Sequence, residues 1–387
     1  MTIPYGRQSI DQADIDAVVA VLKSDFLTQG PAVPRFEAAI AGRVGAKHAV
    51  AVNSATSALH VACLALGVGP GDMVWTTPNT FVASANCARY CGADVDFVDI
   101  DPQSWNMSVP ALEAKLSVAA AEGKLPKVVI PVHFTGQACD MEAIGALARQ
   151  YGFKVIEDAS HAVGSTYRDS RIGDCAYSDI AIFSFHPVKI ITTGEGGVAT
   201  TNDAELAWRM AAFRSHGITR DPDRVQNKDA GPWAYEQQML GFNYRMIDLE
   251  AALGLSQLNR LDEFVARRNA IARRYDRLLE KLPVQLPKIA QDRLSAFHLY
   301  VVRLPDDDAA RHRRVFEAMR AAGIGVNLHY MPVHLQPDFR KLGFADGMFP
   351  EAERYGRSAI TLPIYPDLTD EQQDQVVAAL EAALAQS

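Results

Sequence analysis

The sequence has few cysteines and no long apolar run, and its first ten residues contain no apolar core. Its five cysteines are odd in number and lie scattered in apolar surroundings. Such a distribution is typical of reduced thiols in a core and does not suggest a disulfide framework. A membrane-spanning helix would need about 18 uninterrupted apolar residues, and a secretory signal would need an apolar core near the amino end. We therefore expect a cytoplasmic protein that does not associate with membranes.

Basic residues are outnumbered, since 38 lysines and arginines face 46 acidic residues, for a net charge of −8. Without a tract of Lys and Arg, nucleic acid is not expected as a partner. The G-x-G-x-x-G fingerprint is absent after the first predicted strand, which disfavours a nicotinamide dehydrogenase. Cys87 and Cys91 stand one helical turn apart but have no second pair of ligands, so no metal site is expected.

The chain is long enough for more than one core. Its 387 residues suggest two or three domains at roughly 150 residues each. Short apolar strands alternate with amphipathic helices from residue 49 to residue 157. This alternation predicts an α/β fold with a mostly parallel, doubly wound sheet and helices on both faces.

The elements predicted beyond residue 157 divide the chain into a large and a small part. We expect strands over 180–185 and 197–201, a long loop over 217–235, and one helical stretch over 247–282 that ends at Pro283. The predicted domains are a large one over 1–245, and a long connecting helix with a smaller C-terminal α+β domain over 246–387.

Ligands of open parallel sheets bind beyond the carboxyl ends of the strands, so the segments after each strand are informative. Asn53-Ser-Ala-Thr-Ser-Ala58 would open a helix. The free N–H groups and small hydroxyls of such a segment suit a phosphate, although a plain helix cap is the simpler interpretation. Phe81, after the next strand, offers an aromatic face for a planar ring, or it is a core residue.

Ionisable groups follow two later strands. Asp158 could pair with a protonated ring nitrogen, or it could simply begin a turn. Nearby His161 could be a site residue or a buried imidazole. Lys189 lies among apolar residues, as does none of the other ten lysines. Burial lowers the pKa of a lysine, as an amine nucleophile requires, whereas a lysine that reaches out to solvent is the alternative. Ser184 could add a hydroxyl to a phosphate site.

In this order, with 31 positions from Asp158 to Lys189, the segments resemble fold-type I pyridoxal phosphate (PLP) enzymes, which share the aspartate aminotransferase-like fold. More closely, nearly the whole chain resembles the DegT/StrS-type nucleotide-sugar aminotransferases. The motifs that carry this resemblance are Asn-Ser-Ala-Thr-Ser-Ala-Leu59, Glu-Asp-Ala-Ser-His161, Ser-Phe-His-Pro-Val-Lys189, Thr-Thr-Gly-Glu-Gly-Gly197 and Gly-Phe-Asn243-Tyr-Arg-Met246.

The resemblance implies a role for each motif residue. Lys189 would hold PLP through a Schiff base and shuttle a proton, and Asp158 would keep the pyridine nitrogen protonated. Phe81 would stack on the ring, and His161 would lie on the side of its hydroxyl group. The phosphate would be bound by Ala55, Thr56 and Ser184, and by Asn243 from the neighbouring subunit, so the active unit would be a homodimer with shared sites.

Substrate contacts are implied by motif position alone, and each is equally compatible with a structural role. These residues are Tyr5, Thr28, His186, Arg245, His329 and Tyr330. Arg245 could bind a pyrophosphate or the carboxylate of a glutamate donor.

Four further motifs narrow the resemblance to one subgroup of the family. They are Ile3-Pro-Tyr-Gly-Arg-Gln8, Leu27-Thr-Gln-Gly-Pro31, Trp75-Thr-Thr-Pro-Asn-Thr-Phe81 and Val326-Asn-Leu-His-Tyr-Met-Pro-Val-His334. This subgroup uses L-glutamate to aminate carbon 4 of a UDP-linked 4-keto-6-deoxy-N-acetylhexosamine in pseudaminic acid biosynthesis.

Three alternatives keep the fold and change the function. One is an aminotransferase for a dTDP-linked or 3-keto sugar. Another is a PLP sugar dehydratase, which Lys189 disfavours because such relatives have histidine there. The third is a sensor without catalysis, which the intact Lys189 and Asp158 disfavour.

Overall fold

The computed structural model describes residues 2–229 and 231–387, and the first part of the chain follows the predicted alternation of strands and helices. Its elements up to the seventh helix are α1 (Gln12–Leu22), α2 (Ala32–Val44), β1 (His48–Val52), α3 (Ala55–Ala65), β2 (Met73–Thr76), α4 (Ala83–Tyr90), β3 (Asp94–Phe97), α5 (Val109–Glu122), β4 (Val128–Val129), α6 (Met141–Tyr151), β5 (Lys154–Asp158), β6 (Thr166–Tyr167), β7 (Ser170–Arg171), β8 (Ile180–Ser184), β9 (Gly197–Thr201) and α7 (Ala204–Arg214).

The later part of the chain is richer in helix. Its elements are β10 (Ile218–Thr219), β11 (Glu236–Gln237), α8 (Asp248–Leu258), α9 (Leu261–Leu279), β12 (Arg293–Leu294), β13 (Tyr300–Arg303), α10 (Ala309–Ala321), α11 (Pro337–Arg340), α12 (Pro350–Gly356), β14 (Ala359–Leu362) and α13 (Asp370–Ala385). Within the described residues, no helix combines the length and apolarity that crossing a membrane requires.

A seven-stranded sheet in the order β1-β9-β8-β5-β4-β2-β3 forms the centre of the fold. β9 runs antiparallel to both of its neighbours, and the other pairs are parallel. The predicted α/β fold with a mostly parallel sheet is therefore confirmed. Because β1, β2, β5 and β8 run in the same direction, the segments that follow them meet at one edge of the sheet.

Alternate strand residues supply two cores, one on each face of the sheet. Trp75 and Phe183 pack with the apolar sides of α2, α5 and α6. Their neighbours Val74 and Ile182 pack on the other face with α3, α4 and α7. Two-sided burial explains why these strands are continuously apolar in the sequence.

A third apolar cluster lies in the later part of the chain. It is built from α9, β13, α10, β14 and α13, and Ile3 from the amino end joins it. Ile3 is bound there through its backbone, since its N–H donates to Gly323 and its carbonyl accepts from Gly325. The domain boundary between residues 245 and 246 stays a prediction.

The single helix predicted over 247–282 is wrong, because α8 and α9 are separate helices. The N–H groups of Asn259 and Arg260 bond three residues back, which ends α8 in a tight turn. At this turn, Arg260 reaches across to α1 and bonds to Asp14 and to the carbonyl of Ser9. The break thus coincides with a tertiary contact that has no signature in the local sequence.

Candidate active site

A cavity of about 720 Å³ opens at the edge where the parallel strands end. Eleven of the fourteen residues that the sequence singled out line it, and they come from segments spread over most of the chain. They are Tyr5, Ala55, Thr56, Phe81, Asp158, His161, Ser184, His186, Lys189, His329 and Tyr330.

One wall of the cavity is the amino end of α3. Ser54 caps this helix, since its Oγ accepts a hydrogen bond from the N–H of Ser57 at 3.1 Å. The first backbone bond of the helix runs from Ala58 to the carbonyl of Ser54. The N–H groups of Ala55 and Thr56 precede that bond and are left for a ligand, together with the positive end of the helix dipole. This wall therefore suits an anion.

Gly197 allows β9 to pass close to this helix end. It pairs with Val52 at the end of β1, and a Cβ atom at residue 197 would lie 2.5 Å from the backbone nitrogen of Ala55. Any side chain there would displace the amino end of α3. This close approach gives a physical reason for the last glycine of the Thr-Thr-Gly-Glu-Gly-Gly motif.

At the base of the cavity, Asp158 ends β5 and is buried. Ser84 donates a hydrogen bond to its Oδ2 at 2.6 Å, and the N–H of Ser160 donates to its Oδ1 at 3.1 Å. Ser84 is itself 2.7 Å from the hydroxyl of Thr80. The carboxylate is thus held in one orientation. Sequence reasoning missed Thr80 and Ser84, although both flank Phe81 after β2.

Lys189 follows β8, in a turn where its N–H donates to the carbonyl of His186 at 2.9 Å. Among the described residues, it is the one lysine that lines the cavity. Burial lowers the pKa of the Lys189 amine to about 8, although the negative charge of Asp158 acts in the opposite direction. About a tenth of this amine is therefore unprotonated, and nucleophilic, at pH 7, far more than for a lysine of ordinary pKa.

A group of histidines and a tyrosine forms the opposite wall. The rings of His161 and His298 have centroids 4.3 Å apart, and the hydroxyl of Tyr330 is 3.2 Å from Nε2 of His161. Burial lowers the pKa of His161 and His298 well below the usual range, and that of His329 to about 3. All three imidazoles are therefore neutral at physiological pH. Sequence reasoning did not identify His298.

Thr28, Asn243 and Arg245 do not line the cavity of their own chain. Thr28 is exposed in the segment before α2. Asn243 is also exposed, and Arg245 pairs with Val52 in an isolated antiparallel bridge. Between them, the carbonyl of Tyr244 accepts a hydrogen bond from Asn53 at 2.8 Å. Asn243 and Arg245 thus lie beside the loop that leads into α3, outside the cavity.

The cavity has the groups that PLP requires. A helix end suits the phosphate, the buried carboxylate of Asp158 suits a protonated pyridine nitrogen, and the Lys189 amine suits the aldehyde. Phe81 exposes 57% of its surface although it is aromatic, so its ring is free to stack on a planar cofactor. Fold and cavity together define a PLP enzyme of fold type I.

Comparison with known proteins gives the family. Residues 8–381 match the DegT/DnrJ/EryC1/StrS aminotransferase family, and the chain belongs to it. It is 40% identical over 382 residues to the spore coat polysaccharide biosynthesis protein SpsC of Bacillus subtilis, covering 98% of this chain and 96% of SpsC. It is 38% identical over 385 residues to GDP-perosamine synthase of Caulobacter vibrioides, covering 99% and 98% of the two chains.

Solved structures agree with this result. PseC from Helicobacter pylori, an aminotransferase involved in the biosynthesis of pseudaminic acid, matches with a TM-score of 0.91 and 29% identity over 100% of both chains. The PLP-form of Spr1654 from Streptococcus pneumoniae matches with a TM-score of 0.90 and 28% identity, over 100% of this chain and 99% of that one. The predictions of the family, of PLP as cofactor and of a sugar aminotransferase are confirmed.

Proposed function

We propose that this enzyme transfers the amino group of L-glutamate to carbon 4 of a UDP-linked 4-keto-6-deoxy-N-acetylhexosamine, a step of pseudaminic acid biosynthesis in the cytoplasm. One observation carries the proposal of amino transfer. The Lys189 amine, whose pKa burial lowers to about 8, lines the same cavity as the buried Asp158 and the free end of α3. The likeness to PseC over the whole chain supports the choice of sugar.

PLP, when bound, supplies an aldehyde that accepts the amino group and a ring that accepts electrons. We propose that Lys189 binds the aldehyde, that Asp158 pairs with the ring nitrogen, and that Phe81 covers one face of the ring. His161 would lie on the side of the ring hydroxyl. The hydrogen bonds from Ser84 and Ser160 would orient the Asp158 carboxylate for this pairing.

Lys189 would also move the proton. Its Nζ, unprotonated above about pH 8, would take the proton from the α-carbon of L-glutamate and later deliver a proton to carbon 4 of the sugar. A single cavity would accept first the amino acid and then the ketosugar, so we expect ping-pong kinetics. Burial lowers the pKa of the neighbouring imidazoles below that of the Lys189 amine, so they are weaker bases and do not compete for this proton.

Phosphate binding is proposed for two subunits together. Ala55 and Thr56 at the start of α3, and Ser184 at the end of β8, line the cavity from the same chain. Asn243 is exposed beside the α3 loop and does not line the cavity of its own chain. We propose that it reaches the phosphate in a second copy, which makes the active unit a homodimer.

Sugar and nucleotide contacts are proposed for residues at the mouth and on the polar wall of the cavity. Tyr5 stacks obliquely on His329 with 5.3 Å between ring centroids, and Tyr330 lies next to both in the cavity lining. His186 is exposed, 4.0 Å from the carboxylate of Glu195. Polar groups of this kind reject a sugar that leaves them without a hydrogen-bond partner. Thr28 and Arg245 would contribute from the second copy.

A GDP-linked sugar is the second candidate substrate, because this chain is 38% identical in sequence to GDP-perosamine synthase and 29% identical to PseC. UDP-, GDP- and dTDP-linked 4-ketosugars should therefore be compared directly, each with L-glutamate, and the position of the new amine determined by NMR. The proposal predicts amination at carbon 4 and the highest kcat/KM for the UDP-linked acetamido sugar. Preference for a GDP- or dTDP-linked sugar, or amination at carbon 3, would overturn the proposed substrate and leave the aminotransferase class intact.

The attachment site has its own test. Borohydride reduction of the PLP-loaded enzyme, followed by peptide mapping, should find the cofactor on Lys189. The Lys189→Ala variant should show no covalent attachment and no turnover. Attachment to another lysine would contradict the proposed role of Lys189.

A further inference from the structure

His298 reaches the cavity from a segment that no motif identified. The segment lies against the 3₁₀ turn Phe134–Gly136, where the N–H of Ala296 donates to Gly136 and the N–H of Leu299 donates to Thr135. The His298 side chain is buried, with 4% of its surface exposed, and its Nε2 is 3.5 Å from Nζ of Lys189. Among the described residues, His298 is the one whose side chain lies within hydrogen-bond distance of the Lys189 amine.

Arg268 fixes the backbone of this segment. Its guanidinium is buried, and its Nη1 donates to the carbonyls of Phe297, His298 and Ile364, at 3.1, 3.4 and 3.1 Å. No carboxylate among the described residues forms an ion pair with it. A buried cation bonded only to carbonyls is costly. The bonds of Arg268 to the carbonyls of Phe297 and His298 hold the main chain in place there, and its positive charge acts on the His298 imidazole.

The charge state of His298 follows from the groups around it. Lys189, His161, His329 and the Arg268 guanidinium surround it, and Asp158 lies beyond Lys189 in the cavity. Burial, more than any of these charges, lowers the pKa of His298 well below the usual range, and the cations act in the same direction. A neutral imidazole has one nitrogen that accepts and one that donates. Nδ1 is buried and has no hydrogen-bond partner among the described residues, whereas Nε2 faces an amine that can donate, so we assign the proton to Nδ1 and the acceptor role to Nε2.

We propose that His298 is a positioning residue, whose Nε2 accepts a hydrogen from Nζ of Lys189 and so aims the lone pair of the free amine at the substrate. The inference rests on the proposed role of Lys189. It concerns the periods of turnover in which that amine is free to move a proton. Without an acceptor on this side, the flexible lysine side chain would sample several orientations of its nitrogen.

The first test uses the enzyme without PLP, so that its readout does not depend on activity. Acetylation of Lys189 by acetic anhydride is followed against pH by peptide mass spectrometry, in wild type and three variants. His298→Gln keeps an acceptor oxygen near the Nε2 position, and His298→Leu removes it. His312→Leu removes a histidine of α10, which does not line the cavity, and serves as the control.

A neutral acceptor stabilises the ammonium form of Lys189. We therefore expect His298→Leu to lower the midpoint of Lys189 acetylation by about one pH unit, because a hydrogen bond from a charged donor contributes about 1.5 kcal/mol. His298→Gln and His312→Leu should keep the wild-type midpoint. An unchanged or a raised midpoint in folded His298→Leu would overturn the proposal, since a raised one would mean that His298 is charged.

The second test measures proton transfer in the PLP-loaded enzyme. With L-glutamate deuterated at the α-carbon, His298→Leu should lower kcat about tenfold and increase the deuterium isotope effect, with little change in KM, and His298→Gln should restore both. If His298 only packed against His161, its replacement would change the thermal stability and leave the isotope effect unaltered. That result would overturn the positioning role.

Two further measurements keep the outcomes separate. If His298→Leu does not fold, His298→Asn replaces it, because its shorter amide does not reach the Nε2 position. His298→Asn must then show the lower acetylation midpoint, the lower kcat and the larger isotope effect that were expected of His298→Leu, with His298→Gln as the reference. Borohydride mapping of wild type decides the role of Lys189 independently. If the cofactor maps to another lysine, the proposed function fails, whereas attachment to Lys189 with unaltered His298 variants rejects only the present inference.

Discussion

Ser84 donates a hydrogen bond to Oδ2 of Asp158 at 2.6 Å, and this bond connects α4 to the end of β5 across the base of the cavity. The two residues are 74 positions apart in the chain. Because the other carboxylate oxygen is bound by the N–H of Ser160, both oxygens of Asp158 have a fixed donor. The carboxylate is therefore oriented before any ligand arrives.

The hydrogen bond from Ser84 allows the charge of Asp158 and the orientation of its carboxylate to be tested separately. Asp158→Asn should remove the charge and lower the rate of the half-reaction with L-glutamate by several powers of ten, at about 1.4 kcal/mol for each. Ser84→Ala should leave the charge and remove one orienting bond, and we expect a loss of about tenfold. Single-turnover kinetics at saturating PLP measure both. Near-native rates for Asp158→Asn in a folded protein would contradict the assigned role.

Burial of Lys189 sets a pH dependence for cofactor attachment. Since its pKa is lowered from 10.5 to about 8, the amine loses its proton as the pH rises through about 8. The rate at which the enzyme without cofactor binds PLP covalently should therefore rise with pH and level off above about 8. Stopped-flow absorbance measures this rate, with Lys189→Ala as the blank. A rate that still climbs steeply up to pH 10.5 would show an ordinary lysine.

Gly197 gives a test of the proposed phosphate site at the amino end of α3. In Gly197→Ala the new Cβ would lie 2.5 Å from the nitrogen of Ala55, so the amino end of α3 must move. We expect PLP affinity to fall at least tenfold and the melting temperature to drop. Gly42→Ala is the matched control, because Gly42 lies exposed in α2 with nothing within 4 Å. There alanine should stabilise the protein by about 0.5–1 kcal/mol. Equal behaviour of the two variants would contradict the steric argument.

The sequence predicted most of the cavity because strand direction brings distant segments together. Asp158 and Lys189 each follow an apolar strand, and parallel strands end at one edge of the sheet. His298 could not be predicted in this way, since it precedes β13, which belongs to a different, two-stranded sheet. The break between α8 and α9 could not be predicted either, because it coincides with a long-range contact between Arg260 and Asp14 that has no local signature.

The placement of Asn243 outside its own cavity leads to a test of shared sites. Asn243→Asp would put a negative charge beside the cofactor phosphate, so this variant and Lys189→Ala should each be inactive alone. When the two are mixed and exchange subunits, one site in each mixed dimer has both Lys189 and Asn243. Random exchange should then restore about one quarter of wild-type activity, measured as 2-oxoglutarate release, with mixed dimers verified by native mass spectrometry. Mixed dimers without activity would mean that Asn243 serves its own subunit, and full activity of Asn243→Asp alone would remove it from the phosphate site.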